Sequence, residues 1–279
     1  MNIVLVCIKN FQEYILSNIE QLLRLDHKNI YVLTNKCFFD RFVQFNDRIT
    51  LVNIDNLIDT YDYYSKTNLN KGFRNGFWPL ASLRFFYIYE FMRRFNVNDV
   101  IHLENDVLIY YNCDEIMSKF DKRFMYIPFD TLNRNIASII YIPTADIFKN
   151  VLDNYDNDVS DMYVFNFIQK KTGLIQNLPI FIYDTIVIPE ISFVSQNYDN
   201  FKFIFDAAAM GQFLGGVDPQ NIDGDTCGFV NETCIIKYNN YEFDWIIIND
   251  VKKPFIKINE QMIPIFNLHI HCKNLKQFM

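Results

Sequence analysis

Residues 1–35 read MNIVLVCIKNFQEYILSNIEQLLRLDHKNIYVLTN, and this stretch decides the fold class. Ile3 to Ile8 is an unbroken apolar run, the pattern of a strand buried on both faces. Phe11 to Leu25 then places Tyr14, Ile15, Ile19, Leu22 and Leu23 close to helical spacing. Asn29 to Leu33 returns to a strand pattern and runs into Thr34-Asn35. A strand, helix, strand opening predicts a parallel sheet with a right-handed crossover. Ligands of such sheets bind beyond the carboxyl ends of the strands, so Cys7, Ile8, Thr34 and Asn35 are candidate nucleotide-binding positions.

The alternation continues downstream. Residues 66–77, SKTNLNKGFRNG, are polar and read as a loop. A long helix is expected from Pro79 to Phe95, with Pro79 suited to a first turn. Val100 to Leu103, Val107 to Tyr111 and Ser138 to Ile142 read as strands, Ala145 to Tyr155 and Asp161 to Lys170 as helices. Short strands are expected at Thr185 to Ile188, Cys234 to Tyr238, Phe243 to Ile248 and Ile263 to Cys272. Without a repeat or clear linker, the 279 residues read as one α/β domain. Its nucleotide half is about 1–111 and its acceptor half about 112–279.

Composition narrows the class. Half of the residues are hydrophobic, which excludes a disordered chain. A net charge of −7 and a pI near 5.1 argue against a nucleic-acid surface, which needs clustered Lys and Arg. The six cysteines form no C-x-x-C pair, favouring a reducing compartment over disulfides or a zinc knuckle. The N-terminus lacks a basic leader, and no apolar run approaches the roughly 20 residues that span a bilayer. A cytoplasmic protein is expected, in which the sequon Asn231-Glu232-Thr233 stays unmodified. A homodimer is one assembly the sequence leaves open.

Chemistry first shows in Val100-Ile101-His102-Leu103-Glu104-Asn105-Asp106-Val107-Leu108-Ile109. Two carboxylates two residues apart would share one face of an extended chain. Beside a core they need compensation, and a divalent cation with oxygen ligands supplies it. The alternative is a solvated turn with both acids in water.

This segment resembles the D-x-D motif of glycosyltransferases with the GT-A fold, in which an apolar strand leads into metal-binding acids. The resemblance implies a Rossmann-like, mostly parallel central sheet flanked by helices, with Mn²⁺ or Mg²⁺ at the site. Here Glu replaces the first acid and Asn the middle residue. Asp106 is then the expected metal ligand, while Glu104 binds the metal or holds the ribose, with Asn105 between them at the nucleotide site. The upstream segment from Phe77 to Phe86 resembles the helix before that motif, where an Arg reaches the donor nucleotide; that residue is Arg84 here, unless it is an ordinary surface cation. Trp78 reads as a packing anchor.

A second signal lies in Asn267-Leu268-His269-Ile270-His271-Cys272-Lys273-Asn274. As a strand it puts His269, His271 and Lys273 on one face, a set suited to a metal and a diphosphate. It resembles the C-terminal His-to-Lys element of glycogenin-like enzymes (glycosyltransferase family 8 type). That implies His271 as metal ligand, with His269 as its rival, and Lys273 or Lys276 on the phosphates. An edge strand in solvent is the alternative.

The middle of the chain offers weaker candidates. Asp206, ahead of an Ala-rich and Gly-rich stretch, either binds hydroxyls of the donor sugar, as the resemblance implies, or caps the turn. Asp161 falls where glycogenin-like enzymes place an Asp-Gln pair near the reacting sugar, although Met162 replaces the Gln, and it also suits the positive end of its own helix. Glu232 is a candidate acceptor-side base. Asp223-Gly224-Asp225 reads as a turn rather than a second metal site. Together these features predict transfer of a hexose-type sugar from a UDP-sugar to a hydroxyl of a glycan or protein. The rivals are a sugar nucleotidyltransferase, which lacks its Gly-rich basic loop here, and a non-catalytic nucleotide-sugar-binding module.

Overall fold

The computed structural model describes residues 1–182, 188–221, 227–230 and 234–279. β1 (Asn2–Cys7), β2 (Asn29–Thr34), β3 (Thr50–Asn53) and β4 (Val100–Leu103) lie parallel in the order β3-β2-β1-β4. The next strand, β5 (Val107–Ile109), leaves this sheet. β6 (Met125–Thr131), β7 (Arg134–Asn135), β8 (Ile139–Ile142) and β9 (Ile175–Leu178) complete it. β8 runs antiparallel to β4 and β6, β7 is antiparallel to β6, and β9 is parallel to β6. The result is a mixed, mostly parallel central sheet flanked by helices, as the opening residues predict.

β1 shows why the sheet is covered on both sides. Ile3, Leu5 and Cys7 enter one core while Val4 and Val6 enter the other, as the period of two requires. The first core takes Ile15, Ile19 and Leu22 from helix α1 (Tyr14–Arg24). The second takes Leu83, Phe85, Phe86 and Ile88 from α2 (Phe77–Phe95), and further residues of α3 (Ala145–Leu152) and α4 (Asp161–Thr172). α2 starts after Gly76, at φ 88°, and stops at Asn96 in the left-handed region. Each fully buried aliphatic or aromatic side chain contributes about 1.5–3 kcal/mol, so these two layers dominate the favourable side of folding.

The last part of the chain forms a small sheet and one long-range pairing. β10 (Glu242–Ile248), β11 (Val251–Ile258) and β12 (Gln261–Pro264) make an antiparallel three-stranded sheet. β13 (Asn267–His269) pairs antiparallel with β5, matching His269 to Val107 and Leu268 to Leu108. The helix α5 (Ala209–Gly215) packs on β13.

Two strand expectations change, and a third is untested. The run from Ile263 to Cys272 is broken, because the chain switches partner from β11 to β5 and turns after His269. Cys234 to Tyr238 is not a strand: Cys234, Ile236 and Tyr238 are buried alternately, but Cys234 Sγ donates to the Ile236 carbonyl and no ladder forms. The expected strand at Thr185 to Ile188 lies mostly outside the described residues. No described helix is long and apolar enough to cross a membrane.

Candidate active site

The acidic motif is a tight turn, not an extended strand. Val107 N donates to the Glu104 carbonyl at 3.0 Å, and the chain passes there from β4 of the central sheet into β5. The turn brings both acids to the carboxyl end of β4, where β13 delivers His269. His269 Nε2 lies 3.2 Å from Glu104 Oε2 and 3.3 Å from Asp106 Oδ2. Among the described residues, these three form the group whose ligand atoms converge within 4.8 Å, a spacing that could hold a metal ion.

The chemistry of the donor set fits a divalent cation. His269 Nδ1 lies 3.0 Å from the Ala207 carbonyl. A carbonyl only accepts, so Nδ1 carries the proton and, in the neutral ring, Nε2 presents its lone pair towards the two carboxylates. Without a cation the same geometry favours imidazolium. Burial opposes the charge, but the Asp106 carboxylate outweighs it and raises His269 to about 9. Burial also works against the Asp106 charge, yet Lys273 and His269 hold that carboxyl well below its usual range. Charge partners of both signs thus converge on the two acids, an arrangement that recurs at ion- and ligand-binding sites.

Lys273 completes the front of the site. Its ammonium contacts Asp106 Oδ2 and lies 4.0 Å from Asp218 Oδ2. It gets there through a turn, with Lys273 N donating to the Ile270 carbonyl at 3.1 Å and φ at 62°. That turn also explains His271. Strand alternation ends at His269, so His271 sits beside it, ring centroids 4.2 Å apart, and outside the group of convergent ligand atoms. Its Nε2 is buried without a hydrogen-bond partner, and burial followed by the His269 and Lys273 charges keeps the ring neutral. Of the two histidines, His269 is therefore the one at the acids. Of the two lysines, Lys273 reaches Asp106, while Lys276 is exposed at the rim of the groove beside α1.

Several expected ligand-binding residues are instead committed to the protein. Arg84 is neither a surface cation nor free to meet a nucleotide. It is buried in α2, pairs with Glu104 Oε1, and lies 3.1 Å from Asp161 Oδ2. Asp161 opens α4 behind Ser160, whose Oγ accepts from Met162 N. Burial raises its carboxyl to about 6 even beside Arg84. Asn105 points inward, donating to the Val6 carbonyl at 2.8 Å and to Gln12.

Asp206 likewise has no oxygen to spare for a sugar. Oδ1 accepts from Met210 N at 2.9 Å, and Oδ2 from Gly211 N at 2.7 Å and His269 N at 2.9 Å. It caps the start of α5 and fixes the backbone of His269 in one stroke. Trp78, half-buried, stacks on Phe73 and meets Phe77 edge-on, but both partners are exposed and none of the three joins either core, so it does not anchor the core as the sequence suggests.

The carboxyl ends of β1 and β2 are tied to one another. Thr34 Oγ1 donates to the Cys7 carbonyl at 2.8 Å, and Asn35 Oδ1 accepts from Lys9 N at 2.8 Å. Cys7 and Thr34 are themselves buried, so what faces outward is Ile8, Lys9 and Asn35. Glu232 and Asp223-Gly224-Asp225 lie outside the described residues.

Two buried amides are missed by reading motifs alone, and one of them, Asn18, reaches the site. Asn18 and Gln21 sit on the apolar face of α1 with no exposure. Asn18 Nδ2 faces the carbonyls of Asn105 at 3.1 Å, Val107 at 2.9 Å and Glu104 at 3.3 Å. Gln21 Nε2 donates to the Ile109 carbonyl at 3.1 Å. The signal was present: a buried amide at i, i+3 among core positions requires a hydrogen-bond partner.

No protein-family model matches this chain, and no curated protein matches its sequence. Solved structures with a similar fold include the galactosyltransferase LgtC, solved with donor and acceptor sugar analogues. It is 14% identical, with 64% of this chain on 73% of that one and a TM-score of 0.45. Mouse xyloside xylosyltransferase 1 is 10% identical over 64% of this chain and 84% of its own, with a TM-score of 0.45. A glucose-1-phosphate thymidylyltransferase from Bacillus anthracis, described by its authors as putative, is 12% identical over 63% and 85%, with a TM-score of 0.35. With identities and scores this low, these likenesses assign no chemistry to this chain.

Proposed function

We propose that this protein is a metal-dependent glycosyltransferase of the GT-A type, moving a hexose-type sugar from a UDP-sugar to a hydroxyl acceptor. One observation carries the reading: Glu104, Asp106 and His269, from two distant parts of the sequence, converge at the carboxyl edge of a parallel sheet. Their donor set fits Mn²⁺ or Mg²⁺, and the fixed Nδ1–H of His269 leaves Nε2 for the ion. Such an ion supplies Lewis-acid charge for a departing diphosphate.

The remaining roles follow from the chain's own groups. Lys273 stands at Asp106 with a cation that can transfer its contact to a phosphate oxygen once the acid has another partner. Arg84, braced by Asp161, holds Glu104 in place rather than touching substrate. Ile8, Lys9 and Asn35 stand at the carboxyl ends of β1 and β2, where a nucleoside would lie by the general placement of ligands in open parallel sheets. The leaving diphosphate gathers charge as the glycosidic bond stretches, and preorganised positive groups aimed at it are the main catalytic need. Asp161 and Asp206, being buried and engaged, support the site from behind.

The test is a thermal-shift series with UDP and UDP-sugars, with and without Mn²⁺, followed by assay of UDP release. A ligand selective for the folded state raises the melting temperature. The expected result is a UDP-specific, Mn²⁺-dependent shift and UDP release, both lost in Asp106→Ala while that variant stays folded. Pyrophosphate chemistry would instead identify a nucleotidyltransferase, and binding without turnover a non-catalytic module. A shift that survives in Asp106→Ala would sink the site.

A further inference from the structure

We infer that Asn18, a buried amide on helix α1, is a positioning residue that sets the geometry and affinity of the metal site. The inference rests on the metal-site reading above and deepens it. Asn18 touches neither acid side chain. Its Nδ2 instead meets three carbonyls of the turn that carries them, those of Glu104, Asn105 and Val107, at 3.3, 3.1 and 2.9 Å.

The orientation of this amide is forced. The reverse placement would aim Oδ1 at three carbonyl oxygens, a uniformly repulsive arrangement, and in the observed one Oδ1 is the atom left without a partner. The protein thus leaves one buried acceptor unpaired to keep a donor at the turn, a cost that calls for a return elsewhere. The turn needs such a donor. Its carbonyls fall outside both ladders, because the chain passes from one sheet into another within Glu104-Asn105-Asp106-Val107. Other ties on the turn include Glu104 N to the Ser138 carbonyl at 2.8 Å, Val107 N to the Glu104 carbonyl, Ile270 N to the Asp106 carbonyl at 2.8 Å, and the Asn105 side chain to Val6 and Gln12. The Asn105 carbonyl, midway between the two acids, has Asn18 as its donor. Rotation of that peptide is the motion that would part Glu104 from Asp106, and Asn18 resists it.

Gln21 provides a matched control. It lies on the same helix face with no exposure, and it also donates a buried amide to the same segment. Its acceptor, the Ile109 carbonyl, lies beyond the turn in β5. Loss of Gln21 therefore removes a comparable buried hydrogen bond without freeing the peptide between the acids.

The experiment titrates Mn²⁺ into the intact protein and counts free ion by electron paramagnetic resonance, alongside the melting temperature. Loss of an outer-shell partner typically weakens a metal site 10–100-fold. Asn18→Ala is expected to raise the Mn²⁺ Kd by about 10–100-fold and to change the bound-Mn²⁺ spectrum, whereas Gln21→Ala stays within about twofold of wild type. Both variants should melt earlier. If Asn18→Ala does not fold, Asn18→Ser, which keeps one donor, is expected to fold and still bind Mn²⁺ more weakly than Gln21→Ala. Wild-type binding with equal affinity in the Asn18 and Gln21 variants overturns this inference alone. No Mn²⁺ binding by the wild type overturns the metal reading and this inference together.

Discussion

Arg84 illustrates how one residue changes meaning between sequence and structure. In the sequence it is a cation on a helix; in the fold it is buried and ties Glu104 to Asp161. Buried Asp161 depends on it most, because a buried charge without a partner is strongly unfavourable, while Glu104 keeps His269 as a second partner. Arg84→Met is therefore expected to destabilise the protein by about 3–5 kcal/mol, measured by urea denaturation at neutral pH. Arg84→Lys should recover only part, since an ammonium lacks the planar fork that aims separate nitrogens at Glu104 and Asp161. A loss below about 0.5 kcal/mol for Arg84→Met, as for a surface cation, would show the pairing to be unimportant. Asp206 carries the same lesson: its candidacy as a sugar ligand fails because three backbone N–H groups already occupy its oxygens.

At the scale of elements, the pairing of β5 with β13 makes the site. Neither strand belongs to the central sheet, and each is three residues long. Their position depends on α5 packing behind β13, which a single glycine permits. A Cβ at Gly211 would fall 2.1 Å from the His269 carbonyl oxygen and 2.6 Å from its carbon, both backbone atoms that cannot step aside. Gly211→Ala must therefore push α5 and β13 apart. The expected cost is about 1–3 kcal/mol, the usual range for overpacking, together with loss of Mn²⁺ binding through displacement of His269. Calorimetric titration of Mn²⁺ checks this, and unchanged affinity would mean that His269 is held by something other than this packing. The strands β3, β6, β7, β9 and β11 are not expected from the sequence; two of them, β6 and β11, contain a proline, Pro128 and Pro254, whose missing N–H argues against a strand. Tertiary pairing overrides that local signal.

At the scale of the whole molecule, the buried titratable groups set the acid response. His102 lies in β4 with Nδ1 at the Val4 carbonyl, and burial, assisted by the Arg84 charge, lowers it to about 3. Burial lowers His27 to about 4. For both, the unfolded chain binds a proton more readily than the folded one. Their contribution to stability is complete above the usual value of 6.5 and is lost as pH falls from there towards 3–4. Asp130 and Asp161, raised by burial to about 6, act in the opposite sense: their contribution is greatest below 3.8 and disappears as pH rises through 6. The wild-type curve is a sum of opposed terms, so a difference measurement is cleaner. The stability advantage of wild type over His102→Asn should shrink by about 2–3 kcal/mol between pH 6.5 and 4.5, at 1.36 kcal/mol per unit. Urea denaturation across that range measures it, and a constant difference would mean that His102 is not held neutral by the fold.

The sequence by itself determined the α/β class, the buried first strand, the crossover helix and the two segments from which the site is drawn. Those features are local: periodicity, a buried run, and acids or histidines at the end of one. It could not determine which histidine meets the acids, because that turns on where β13 stops pairing and the chain bends after His269. Nor could it show that Arg84, Asn105 and Asp206 face inward, or that Asn18 reaches the turn across the interface between α1 and β5. These outcomes depend on contacts between segments tens to more than a hundred residues apart. Only the closed fold decides which polar groups are spent on one another and which remain for a ligand.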